Sequence, residues 1–116
     1  MLIQGYLYTI LMVLLSVKKI LPLIFSNIEL NNYPNPFNPE TIISFNIPFS
    51  ANVKIEVFNT KGQKICSLVN DYLQAGKHSI IWNGKDNNNQ SVASGIYFYR
   101  IHTNYHSSIK KMVMLK

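Results

Sequence analysis

Five carboxylates and three histidines are the residues from which this chain could build acid–base or metal chemistry: Glu29, Glu40, Glu56, Asp71 and Asp86, with His78, His102 and His106. General acid–base catalysis needs two such groups around one reacting atom, and a metal needs several converging ligands. None of the carboxylates forms a close pair in sequence, and Glu56 falls at an outward position of a strand pattern. His102 and His106 are four apart, a helical ligand spacing, but the hairpin tip Asn104-Tyr105 lies between them. His78 alternates with Ile80 and Trp82, which makes it a packed or rim histidine. No G-x-S-x-G, phosphate-binding glycine loop, H-E-x-x-H or C-x-x-C occurs. The lone Cys66 forbids an intrachain disulfide and reads as a small, semi-buried strand residue.

One loop invites a metal reading, Asp86-Asn87-Asn88-Asn89-Gln90-Ser91. Its D-x-N-x-Q start resembles a calcium loop, but Ser91 stands where glycine turns the chain. Tyr97 stands where the bidentate glutamate belongs. An Asn-rich turn whose side chains cap their own backbone is the better reading. The chain is therefore expected to be no enzyme, with no metal and no cofactor.

The formal charge is +6 on 116 residues, with only 14% charged residues and 47% hydrophobic ones. Apart from Lys18-Lys19 and Lys110-Lys111, the cations are dispersed. Dispersed charge suits solubility and argues against a nucleic-acid site. The length allows one domain.

Residues 1–27 stand apart. The run from Leu2 to Val17 is apolar, Lys18-Lys19 follow, and the chain is apolar again to Phe25. A secretory signal carries its positive charge before the run and small residues after it, and a comfortable bilayer span needs about 20 apolar residues. Three readings stay open: an atypical signal or membrane anchor, a hydrophobic lead-in, or the broken start of a longer gene product.

From Thr41 onward the hydrophobic period is two. In "TIISFNI" the residues Thr41, Ile43, Phe45 and Ile47 share one face. In "NVKIEVFN" Val53, Ile55 and Val57 face in, with Lys54 and Glu56 out. "NTKG" at 59–62 is hairpin chemistry. "QKICSLV" faces in with either Ile65 and Val69 or Cys66 and Leu68. A strand containing His78, Ile80 and Trp82 follows a turn at Gly76, and a polar loop closes at Gly95. The last strands are "IYFYRIHT" and "SSIKKMVML". Six or seven short strands without a helical stretch predict an all-β, immunoglobulin-like antiparallel sandwich. Its expected core holds Phe45, Val53, Ile55, Val57, Trp82, Tyr97, Phe98 and Tyr99.

Ahead of these strands, "YPNPFNP" sets Pro34, Pro36 and Pro39 among Tyr33, Asn35, Phe37 and Asn38. Each proline fixes its φ and biases the preceding residue to extended or turn geometry. Tyr33 and Phe37 are expected to pin the incoming chain to the sandwich edge, while the asparagine side chains satisfy backbone groups that proline cannot.

Four stretches, "YPNPFNPET" at 33–41, "VKIEVFNTKGQKI" at 53–65, "AGKHSIIWNGKDNNNQSVASGIYFYRI" at 75–101 and "KKMVMLK" at 110–116, together resemble the C-terminal sorting domain (type A) of type IX secretion cargo. That domain is similar to the immunoglobulin-like module of flagellar hook-capping proteins. The resemblance covers about residues 28–116, so the domain is expected to begin near Ile28. It implies a non-catalytic address at the end of proteins exported by Bacteroidetes-like bacteria, read by the outer-membrane translocon of the type IX machinery. It implies a secreted or cell-surface location. The family's domain normally trails a large cargo, which leaves three readings of this chain: a free-standing sorting-type domain, a fragment of a cargo gene that lacks its upstream cargo domain, or a piece whose upstream reading frame was lost. By position, Lys110, Lys111, Met112, Val113, Met114, Leu115 and Lys116 match the family's terminal strand, the part tied to recognition. Two competing readings are a structural immunoglobulin-like interaction module of a surface or flagellar-type assembly, and a small membrane-anchored accessory protein.

Overall fold

The computed structural model describes residues 7–18 and 28–116. Residues 7–18 form a helix that is apolar nearly all round, with Leu11, Val13 and Leu14 among its exposed side chains. Residues 1–6, Lys19 and the second apolar stretch to Phe25, read above as part of a signal, anchor or lead-in, lie outside the described residues. Among the described residues, no helix is long and apolar enough to cross a membrane.

Seven strands follow: β1 (Glu29–Tyr33), β2 (Thr41–Ile47), β3 (Ala51–Phe58), β4 (Lys64–Leu73), β5 (Gly76–Trp82), β6 (Gly95–His102) and β7 (Ser107–Met114). They form two antiparallel sheets, a three-stranded one in the order β1-β2-β5 and a four-stranded one in the order β4-β3-β6-β7. This is the expected immunoglobulin-like sandwich. In the constant-type arrangement the fourth strand lies beside the fifth. Here β4 lies beside β3, because the hairpin at Asn59–Gly62 joins them directly. The Asn59 side-chain oxygen accepts the amides of Lys61 and Gln63, at 3.0 Å each, and Gly62 supplies the positive φ that the turn needs.

Alternation along each strand delivers the core. Ile43, Phe45 and Ile47 from β2 meet Val53, Ile55 and Val57 from β3 and Tyr97, Tyr99 and Ile101 from β6. Trp82 is fully buried at their centre, edge-to-face with Phe37 at 5.6 Å and with Tyr97 at 5.3 Å. Its indole N–H donates to the carbonyl of Lys85 at 3.0 Å, so the polar atom is not stranded. Tyr97, near the start of β6, donates its hydroxyl to the carbonyl of Ala93 four residues upstream, at 2.6 Å. That is the tyrosine corner of immunoglobulin-like sandwiches.

Three expectations need correction, and one strand went unread. Phe98 is not in the core: with Tyr97 and Tyr99 turned inward, a period of two sends the residue between them to the outer face. There it lies opposite Phe58. Tyr33 does not pin the chain, being 79% exposed on the outer face of the three-stranded sheet. Neither alternating set on β4 stands alone: irregularities interrupt its register against β3 twice, and Ile65, Leu68 and Val69 all pack against the core with the buried Cys66. Cys66 pairs with Val57 and Val69 with Ile55, one residue from each of the proposed sets. Finally, "ELNNY" is a strand without a strand's sequence. β1 exists because it pairs with β2 over its whole length, burying only Leu30 deeply.

Candidate functional site

The region that the sequence marks for recognition is β7, and β7 is an edge strand. Its residues divide between two jobs. Met112 and Met114 are fully buried and complete the core beneath β6. Lys110, Lys111, Leu115 and Lys116 are exposed, and Val113 is half-buried.

The proline motif closes over the C-terminal half of this edge. The Phe37 amide donates to the carbonyl of Val113 at 3.0 Å, and the Leu115 amide donates to the carbonyl of Phe37 at 2.9 Å. The Val113 amide donates to the side-chain oxygen of Asn35 at 3.0 Å. Phe37 thus acts as a one-residue parallel strand against Met114, while its ring, only 2% exposed, enters the core beside Trp82. Proline cannot donate to such an edge, so Asn35 and Phe37 carry the hydrogen bonds between the prolines. Asn38 is exposed and makes no contact of this kind.

Asn32 ties the motif to both sheets. Its amide donates to the Thr41 hydroxyl at 3.0 Å, and its side-chain oxygen accepts the Tyr99 hydroxyl at 3.1 Å. Thr41 in turn donates to the carbonyl of Pro34 at 2.8 Å. Gly84 packs against the far end of the motif with φ +73°, where a Cβ would stand 2.7 Å from the Met114 methyl and 3.0 Å from the carbonyl of Pro39. A Gly84→Ala variant is expected to lose about 1–3 kcal/mol through left-handed strain and overpacking. Chemical denaturation reads the loss, and an unchanged midpoint would mean that the motif is free to move away.

Beside the exposed half of β7, the outer face of the four-stranded sheet carries an open groove of about 350 Å³ lined in part by Phe58, Phe98, Arg100 and Ile109. Arg100 stacks on the Phe58 ring at 5.0 Å and donates to Glu56 at 3.0 Å, while Lys64 approaches the other carboxylate oxygen at 3.4 Å. Burial works to raise the Glu56 carboxyl, but the hydrogen bonds and charges of Arg100 and Lys64 outweigh it and hold the group below the usual carboxylate range. Glu56 is a structural charge, matched where it lies.

Asp86 and His78 are likewise engaged in structure. Asp86 accepts the amides of Asn88 and Gln90, at 2.9 and 3.0 Å, so its carboxylate caps its own loop. His78 stacks on Phe45 and bonds the carbonyl of Gln74. The turn between His102 and His106 is held by the Thr103 hydroxyl, which accepts the amides of Tyr105 and His106. Among the described residues no three histidine, cysteine or acidic side chains gather as metal ligands.

A family model described as the secretion system C-terminal sorting domain matches residues 31–115. The chain belongs to this family. Solved structures share its fold. FlgD from P. aeruginosa is 24% identical, with a TM-score of 0.53 over 64% of this chain and 59% of that one. PorZ, described as an essential surface component of the type IX secretion system of Porphyromonas gingivalis, is 17% identical, with a TM-score of 0.53 over 75% of this chain and 11% of that one. Dimeric latent PorU from the same organism is 19% identical, with a TM-score of 0.64 over 76% of this chain and 9% of that one. The chain spans little more than half of FlgD and about a tenth of the other two. No curated protein matches it.

Sequence reasoning anticipated neither Asn32, the hub of this sorting domain, nor Gly84. An asparagine in a polar stretch carries no pattern, and the Asn83-Gly84 pair reads only as a turn; the approach of the proline motif to β7 is what gives both residues their work. The hub has one testable consequence. Burial pushes the Tyr99 hydroxyl up to about 12 and the Cys66 thiol up to about 11. Both groups are neutral in the fold and ionise more readily once exposed. Their contribution to stability is whole below about pH 9–10 and is lost as pH rises through the folded values. The sorting domain should therefore weaken steeply above about pH 10. A Tyr99→Phe variant, though less stable at neutral pH, should show a shallower alkaline decline in its thermal midpoint. Parallel declines would mean that Tyr99 is not responsible.

Proposed function

We propose that residues 28–116 are a non-catalytic address that directs an exported protein to the outer-membrane translocon of the type IX secretion system. Membership of the sorting-domain family, matched over residues 31–115, is the observation that carries this reading. Members of the family serve as secretion signals rather than enzymes, which makes the chain a secreted or cell-surface protein by type. In this reading the partners are components of the translocon, and the cargo is whatever exported protein carries the domain. The contact surface comprises the exposed members of the terminal segment, Lys110, Lys111, Leu115 and Lys116. Met112 and Met114 contribute by holding that segment in shape.

The test is a reporter enzyme fused ahead of residues 28–116 in a bacterium with type IX secretion. Surface-exposed reporter is the expected result, with the unfused reporter kept in the periplasm by an ordinary signal peptide. Equal distribution of the two would end the proposal.

A second reading concerns the other end of the chain. The exposed helix at 7–18, apolar except at Thr9, Ser16 and Lys18, favours burial in lipid or in a transport channel. We propose that residues 1–27 act as an export signal or membrane anchor. Fractionation of the full chain tests this, and recovery of the uncleaved chain in the soluble fraction alone would count against it.

A further inference from the structure

The edges of the two sheets are protected unequally. An unpaired strand edge presents a row of backbone donors and acceptors, which proteins cover, shorten or distort. β4 is interrupted twice in register, and the Asn87 loop bonds to it: the Asn87 amide donates to the carbonyl of Ile65, and the Asn87 side chain accepts the Ser67 amide, both at 3.2 Å. β1 is five residues long. The C-terminal half of β7 is covered by Asn35 and Phe37.

The N-terminal half of β7 is different. In an antiparallel ladder, alternate residues of an edge strand bond the neighbouring strand and the residues between them face away. Val113 faces away, since the proline motif takes its amide and carbonyl. By the same alternation Ile109 and Lys111 present their backbone groups outward, and among the described residues no bond covers them. Their side chains lie on the outer face beside Arg100 and Phe98, their register partners on β6. Ile109 is 58% exposed there.

We propose that Ser107–Lys111 receives an extended, acidic segment of a partner protein, which adds to the four-stranded sheet as a fifth strand. This rests on the reading of the domain as an address recognised by another protein. Charge selects the occupant. Successive strand residues point to opposite faces, so Lys110 and Lys111 place a cation on each side of the incoming strand, with Arg100 behind them on β6, opposite Ile109. Glu56, the carboxylate beside Arg100, is already matched by Arg100 and Lys64. A second copy of this chain would set lysine against lysine on a protein of net charge +6. The remaining edge, β5, carries Lys77 as its one lysine or arginine. The complementary strand pairs an apolar residue near Ile109 with adjacent carboxylates near Lys110 and Lys111.

The probe is a fluorescent eight-residue peptide, Val-Thr-Val-Glu-Glu-Val-Thr-Val, whose adjacent carboxylates point to opposite faces with valine on either side, compared with the same peptide carrying lysine for glutamate. Both are titrated against the full chain. The acidic peptide is expected to bind and the basic one not. Ile109→Pro, which removes an outward amide and no ladder bond, and the double variant Lys110→Glu with Lys111→Glu should each weaken binding at least tenfold, with thermal unfolding confirming their fold. Absence of acidic-peptide binding, equal binding by the double variant, or self-association in place of peptide binding would overturn the inference. Reporter export separates this from the broader reading. Export that needs residues 28–116 but tolerates both variants sinks the edge site and spares the address. Export that ignores residues 28–116 sinks the address, and the peptide titration still decides the edge.

Discussion

Replacing Trp82 with alanine lowers the unfolding free energy by about 3–5 kcal/mol, the range for deleting a large aromatic ring from a core. The ring is fully buried, contacts Phe37 and Tyr97 edge-to-face, and donates to the carbonyl of Lys85. It joins the three-stranded sheet, the proline motif and the tyrosine corner, so little nearby can collapse into the space it leaves. A sandwich of this size has a total stability of about 5–10 kcal/mol, and the variant should be largely unfolded at moderate urea. Trp82→Phe keeps most of the apolar contact and loses the indole N–H, so it should fall between the two. A cooperative Trp82→Ala variant with a shift below about 1 kcal/mol would show that the ring is not central.

Phe37→Ser should cost nearly as much, about 3–4 kcal/mol, because it empties a core site and leaves a hydroxyl there without an assured partner. A linker residue would cost nothing, and this is the sharpest contrast available for the proline motif. The variant should also free the end of β7. Amide exchange at Val113 and Leu115, whose hydrogens are bonded to Asn35 and Phe37, should accelerate more than exchange within β3. Unchanged stability together with unchanged exchange would reduce the motif to a stiff spacer.

These two residues also show what could be read without a structure. The alternation in β2 and β3 gave the sandwich directly, because isolated polar residues between branched apolar ones leave one face to bury. Trp82 was legible for the same reason. β1 was not, since "ELNNY" owes its strand to pairing with β2. The register of β4 was not, because a bulge resets the side-chain alternation without leaving a mark in the sequence. In "YPNPFNP" the two aromatics look alike in sequence, yet Phe37 enters the core and Tyr33 stays in water. The difference arises from the position of β7, more than seventy residues away in the chain, and no local pattern reports it.

The terminal segment carries the same lesson for function. "KKMVMLK" reads as one basic–apolar unit, but Met112 and Met114 belong to the core while Lys110, Lys111, Leu115 and Lys116 face solvent. Deleting Lys110–Lys116 would remove two fully buried side chains and the hydrogen-bonding partners of the proline motif. Loss of export after such a deletion reports unfolding as readily as loss of an address. Substitutions confined to the exposed residues, in variants shown to keep their thermal midpoint, separate the two.

The central claim is that this sandwich is an address for one export route. The most direct measurement is the surface activity of a reporter fused to residues 28–116 in matched cells with and without the type IX outer-membrane translocon. The account predicts reporter at the surface in the first and trapped in the periplasm in the second. Reporter reaching the surface equally in both would contradict it.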